Sequence, residues 1–229
     1  LPLVRKANSM VMLDVLVSLL AFWSLWMLIR FFRNGQTRAA AAFGGVAALA
    51  MLTKANGNAL VFVPVFLIAL ARRYDLLKRR GLYVAALIIA GIGLPWQVVS
   101  FRMIARSLPV SRGGVLFAFK MLALYLSALL DSVGLVVFLV ALLGLGVESV
   151  KLFRRSTGAS LELGGAACLL TAVVLFHSLN PWPGEERYML AALPMLLLFF
   201  AAGVRWLAQI LSERLPFSAP APALGVVLF

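Results

Sequence analysis

Met51-Leu52-Thr53-Lys54-Ala55-Asn56-Gly57-Asn58 sets one lysine and two asparagines between two apolar runs, residues 39–53 and 59–71. As helix each run extends only about 20 Å at ~1.5 Å per residue, short of a bilayer hydrocarbon core of ~30 Å. The sequence therefore predicts a broken hairpin at 54–58, with its turn in a thinned bilayer or in a protein-lined cavity, where irregular backbone is tolerated at depth. Gly57 supplies the turn, and Asn56 and Asn58 can bond the freed backbone groups. An ionisable side chain at membrane depth is a functional candidate by default. The competing reading is a lysine that snorkels to the interface from a hairpin tip.

The composition fits this starting point. Of 229 residues 63% are hydrophobic and 13% charged, with mean hydropathy +1.03, whereas soluble domains are about 45–50% apolar. The expected fold is all-α, a polytopic transmembrane bundle of about seven spans. A formal charge of +13 raises nucleic acid as a partner. The basic residues, however, fall in short clusters between apolar runs, the pattern of topology determinants, so no nucleic acid is expected. Cys168 is the single cysteine and forms no intrachain disulfide. The chain opens on Leu1 and closes inside an apolar run at 223–229, so a piece of a longer protein is expected. Arg5 and Lys6 before an apolar run resemble a signal peptide, but the run 11–29 is long for one and no small-residue cleavage site follows.

Three basic clusters set the topology: Arg30, Arg33 and Arg38; Arg72, Arg73, Lys78, Arg79 and Arg80; Lys151, Arg154 and Arg155. The positive-inside rule makes all three cytoplasmic. Residues 11–29 then run inward, the two arms around Lys54 go out and back, and 81–101 runs outward to Leu94-Pro95-Trp96. Two full crossings at 115–130 and 132–146 would leave the third cluster outside. Residues 115–130, bracketed by Lys120 and Asp131, are therefore expected to be a helix in the outer interface. Residues 132–146 cross inward, 163–179 outward to His177, and 188–208 inward with a kink at Pro194. Residues 1–211 form the membrane domain. Residues 212–229 read as a cytoplasmic Ser/Pro linker and the start of a further span.

This topology gathers Asp14, Lys54, Arg102, Arg106, Arg112, Lys120, Asp131, His177, Glu185, Glu186 and Arg187 on the outer side. Asp14, a turn inside the first span, is either functional or a charge favoured by the helix dipole. His177 is a base or ligand candidate, or a hydrogen-bonded residue at a span end. A conventional zinc site lacks ligands, with one histidine and one cysteine. No P-loop is present.

Met12-Leu13-Asp14 opening a span, Leu49 to Lys54 leading into a hairpin, Leu94-Pro95-Trp96, Glu186-Arg187-Tyr188 and Leu193-Pro194 follow one another along the chain. In order and spacing this pattern resembles the membrane glycosyltransferases of the GT-C type. It is most similar to the bacterial branch like protein O-mannosyltransferases and lipid A aminoarabinose transferases. The resemblance implies transfer of a sugar from a polyprenyl-phosphate donor to a lipid, glycan or protein acceptor, on the periplasmic face of a bacterial inner membrane. It implies a catalytic role for Asp14 at the mouth of the site, and donor-phosphate contacts from Lys54, Arg187 and Tyr188. Asn56, Asn58, Glu186 and His177 would support them. It requires no soluble nucleotide and no certain cofactor, although a carboxylate there can hold a divalent metal. A further family carboxylate, the expected catalytic base, belongs to a loop upstream of Leu1. Two other classes stay open from the residues alone: a transporter or flippase for a lipid or small anion with Lys54 in its substrate site, and a membrane scaffold whose charges are interfacial.

Overall fold

The computed structural model describes residues 13–107, 114–180 and 185–214, and every regular element among them is helical. Helix α1 (Leu13–Asn34) carries Asp14 in its first turn and Arg33 in its last, each at the end where the helix dipole favours its sign. Gly35, at φ 65°, turns the chain into α2 (Thr37–Thr53), which packs along α1.

The break falls at Lys54, where the backbone becomes extended (φ −161°, ψ 147°). A tight 3-10 turn, Ala55–Val61, and then α3 (Phe62–Leu70) follow. Gly57 is required here, because a Cβ would lie 2.4 Å from the carbonyl carbon of Ala50. Both arms are longer than the sequence suggests. The 17 residues of α2 extend about 26 Å, and the steeper ~2.0 Å rise of the 3-10 turn stretches 55–70 to about 28 Å, close to a ~30 Å core. The turn therefore sits near one end of the bundle rather than midway. The arms also diverge, α2 packing on α1 and on the following helix while α3 packs on the helix at 161–179.

That following helix starts as α4 (Arg80–Ile88), passes through a π-turn at Ile89–Gly93 and continues as α5 (Leu94–Ser107). Pro95 accounts for the π-turn: it lacks an N–H and its ring crowds the carbonyl four residues back, so the ladder widens ahead of it. Helix α6 (Val115–Val133) ends at a corner made by Gly134 (φ 82°, ψ 158°), and α7 (Leu135–Phe153) follows. Ser160 caps α8 (Leu161–Leu179), its Oγ accepting from the Leu163 N–H at 3.2 Å. A 3-10 turn (Glu186–Ala191) leads into α9 (Leu193–Arg214). Pro194 is thus the second residue of α9, where its missing N–H breaks no intrahelical bond. It starts a helix and does not kink one. Helices α7 and α9 approach backbone to backbone: a Cβ on Gly144 would lie 2.0 Å from the Phe199 carbonyl oxygen, and one on Gly203 2.2 Å from that of Val140. Small residues permit this contact.

The chain is an all-α helical bundle of a membrane protein. Among the described residues six helices are long and apolar enough to cross a bilayer: α1, α4 with α5 (Arg80–Met103), α6, α7, α8 and α9. Residues 37–53 and 55–70 form two shorter apolar arms. The extra candidate is α6, which the sequence assigns to the interface. Only its C-terminal half, with Tyr125, Ala128, Leu129 and Ser132, is buried, while Val115, Leu116 and Phe119 are exposed. Ser212 lies within α9, and most of the expected linker, 215–229, falls outside the described residues.

The two ends of the bundle differ in charge. At one end the three basic clusters meet. Arg33 is ion-paired with Glu162, Arg73 donates to the Phe32 carbonyl at 3.3 Å, and Arg155 donates to the Arg72 carbonyl at 2.7 Å. The chain positions that open α1, end α2 and end α8 meet at the other.

Candidate functional site

Asp14, Lys54, Arg187 and Tyr188 come together at that second end, although they lie in the first turn of α1, at the break after α2 and in the turn before α9. Asp14 is 7% exposed. The Lys54 ammonium is ion-paired with Asp14 Oδ1, and Arg187 Nε lies 4.0 Å from Asp14 Oδ2. Arg187 is also ion-paired with Glu185. Lys54 is placed by the extended residue that ends α2, whose N–H donates to the Ala50 carbonyl at 3.1 Å and whose carbonyl accepts from Gly57 at 2.9 Å. Its ammonium lies 5.1 Å from the centre of the Tyr188 ring, within cation–π range. A snorkelling lysine would point its ammonium away from the protein; this one points it at a carboxylate and a ring.

An aromatic stack backs the charges. His177 stacks on Tyr188 with centroids 4.9 Å apart and an interplanar angle of 21°, and meets Tyr125 of α6 and Phe176 edge-on. His177 is 2% exposed, and its Nδ1 has no hydrogen-bond partner among the described residues. Burial, followed by the Glu185 carboxylate, raises the Tyr188 phenol above its ordinary range. At Arg187 burial acts to lower the pKa, and the Glu185 hydrogen bond and charge together with Asp14 more than offset it, so the guanidinium is held charged.

Asp14, Ser18, Asn56, His177, Arg187 and Tyr188 line a cavity of about 20 Å³. That is room for about one water, which needs roughly 10–15 Å³. Among the described side chains two cations, Lys54 and Arg187, meet two carboxylates, Asp14 and Glu185. An anion entering here must take over donors that the carboxylates now hold.

Of the supporting residues expected from the sequence, Asn56 and His177 line this cavity. Asn58 does not: its Nδ2 donates to Gln97 Oε1 at 3.1 Å, and Gln97 Nε2 donates to the Met51 carbonyl at 2.8 Å. Asn58 instead fastens the break to α5 through Gln97, whose own amide satisfies a carbonyl that the end of α2 leaves free. Gln97 is missing from the sequence-based set; its only signal is a lone amide in an apolar run. The side chains of Glu186 and Arg106, and all of Arg112, lie outside the described residues. Arg102, Lys120 and Asp131 are exposed and belong to none of the ion pairs described at this site. A second buried carboxylate also escaped the sequence reading. Glu148 of α7 is 3% exposed and holds Lys151 at 2.8 Å and Arg205 of α9 at 3.7 Å.

Among the described residues no three His, Cys, Asp or Glu side chains converge as metal ligands. No protein-family model, curated protein or solved structure matches the chain.

Proposed function

We propose that this chain is the membrane part of a glycosyltransferase that moves a sugar from a polyprenyl-phosphate carrier to a lipid, glycan or protein acceptor, with its site on the periplasmic side of a bacterial inner membrane. One observation carries the reading: two cations from separate elements, Lys54 and Arg187, converge on the buried carboxylate of Asp14, at the end of the bundle opposite the basic belt. With that belt on the cytoplasmic side, the site faces outward. Keeping the 151–155 cluster on the belt side also requires α6 to lie in the outer interface, tied to α8 through Tyr125 and His177.

In such a transfer the acceptor oxygen attacks the anomeric carbon, the bond to the phosphate oxygen breaks and the acceptor proton passes to a carboxylate. Negative charge grows on the leaving phosphate. Fixed cations in a site shielded from water stabilise that charge without reorganising. Lys54 suits the task because an ammonium has three donors and engages a phosphate as a point charge. Asp14 has the chemistry to take the proton once its cations turn to the phosphate. A ligand pocket usually measures about 300–1,000 Å³, so a sugar phosphate enters only as the side chains around the cavity move apart. Glu185, whose side chain is 49% exposed, is the most open member of the cluster.

The deciding experiment reconstitutes the full-length protein in sealed liposomes with polyprenyl-phosphate sugars. Release of polyprenyl phosphate that depends on an acceptor supports transfer. Movement of lipid or small anion across the bilayer without cleavage of the donor assigns Lys54 to a transporter instead, a reading that rests on the single broken arm at 54–61.

A further inference from the structure

Where the arms of the hairpin diverge, they leave a groove. Phe43 and Met51 of α2, Pro64, Val65 and Ile68 of α3, and residues 82–94 of the neighbouring helix line a space of about 590 Å³. Phe43, Met51, Pro64, Ile68 and Ala85 form its buried floor. Val61, Val65, Leu77 and Leu94 are exposed along its rim, so the groove opens sideways, toward lipid in a membrane. From Leu82 to Leu94 it runs about 18 Å along the helix, longer than the ~15 Å that one leaflet contributes to a ~30 Å core. Tyr74, at the basic end, is the only lining residue with a hydroxyl.

The mouth at that end is charged. Lys78, Arg79 and Arg80 follow directly on Tyr74 and Leu77 and are exposed. None of the three takes part in an ion pair among the described residues. The nearest acid in sequence, Asp75, is held by both arms of Arg73 at 2.9 and 3.1 Å. An apolar trough one leaflet long, ending in three exposed cations outside the ion pairs of the described residues, complements one kind of molecule. We propose that an anionic phospholipid binds here, one acyl chain in the groove between α2, α3 and α4 and its phosphate on Lys78, Arg79 and Arg80, in the leaflet at the basic end of the bundle. The site is distinct from the Asp14 cluster and does not depend on the chemistry assigned there. A basic pocket beside transmembrane helices attracts anionic headgroups, each cation near the surface adding several-fold in affinity.

The test is a binding competition on the full-length protein in detergent micelles, with dioleoylphosphatidylglycerol and dioleoylphosphatidylcholine counted by native mass spectrometry. Phosphatidylglycerol should bind at least about tenfold more tightly, and the preference should weaken with added salt. Replacing all three cations by glutamine should bring the two lipids to parity, and restoring Arg79 as lysine should recover part of the preference. Ala86→Phe, which fills the trough and keeps every charge, should reduce retention of both lipids alike. Equal binding of the two lipids to the wild-type protein overturns the proposal, as does a preference that survives removal of the cations. So does a photocrosslinker at Val65 that captures protein, whether another segment of the chain or a second copy, in place of lipid.

Discussion

If Asp14 and Lys54 form the pair seen here, their removal must be non-additive. Asp14→Asn keeps the shape of the side chain but leaves Lys54 and Arg187 facing each other across a site where the carboxylate was 7% exposed. Stranding a fully buried charge costs about 3–5 kcal/mol, and exposed pairs are worth about 0.2–1 kcal/mol. Lys54 and Arg187 are 23% and 28% exposed, so Asp14→Asn should cost about 2–3 kcal/mol, between these limits. Lys54→Met alone should cost less, because Arg187 still faces Asp14. The double variant should be less destabilised than the two singles added together, with a coupling of about 1–3 kcal/mol. Equilibrium unfolding in mixed micelles with increasing dodecyl sulfate measures all four corners of the cycle. Arg33–Glu162, exposed by 54% and 39%, is the control, and its coupling should stay below about 1 kcal/mol. Additivity of the Asp14 and Lys54 variants within about 0.5 kcal/mol would refute the contact on which the site is built.

Three further outcomes follow from the packing and the ends of the bundle. Gly57→Ala drives a Cβ into the Ala50 backbone, an overpacking worth about 1–3 kcal/mol; it should lower thermal stability and loosen the Lys54–Asp14 pair, and an unchanged melting temperature contradicts the tight turn. Cysteines placed at Ser107 and Ser156 should label from opposite sides of the membrane, with the buried native Cys168 silent in both cases, whereas labelling of both sites from one side breaks the topology. The Tyr188 phenol, raised from 10.0 by burial and then by Glu185, holds its proton more tightly in the folded protein than in the unfolded chain. Its contribution to stability is therefore present below pH ~10 and lost as pH climbs through the raised value. Tyr188→Phe should remove part of the phenolate absorbance that appears above pH ~10; an unchanged titration curve contradicts the raised value.

The break at Lys54 was legible because a lysine, two amides and a glycine interrupt an apolar run, a local signal that needs no tertiary information. The separation of the ends was legible for a similar reason, since clusters of arginine mark span ends whatever the packing. The lengths of the arms were not, because Ala55 to Val61 coil as a 3-10 turn whose steeper rise leaves no periodic trace in seven residues. Pro194 misled because Tyr188 to Ala191 are good helix formers, and nothing local says that they make a separate turn. Asn58 and Gln97 meet from 39 positions apart in the chain, and Glu148 reaches Arg205 only because Gly144 and Gly203 let two backbones touch. Such pairs are decided by which helices are neighbours, and a pattern along one helix does not contain that.

The central claim is that Lys54 holds the phosphate of a lipid-linked donor, and it is tested most directly by Lys54→Met in the full-length protein, with transfer from a polyprenyl-phosphate sugar followed under single-turnover conditions. Methionine preserves length and apolar packing while deleting the charge. Loss of one preorganised donor typically costs about 3–4 kcal/mol of transition-state stabilisation, so transfer should fall by about a hundredfold or more while the protein still folds. Lys54→Arg should retain more activity than Lys54→Met by keeping the charge. Donor affinity and turnover equal to wild type in Lys54→Met would contradict the claim and leave the lysine as the structural partner of Asp14.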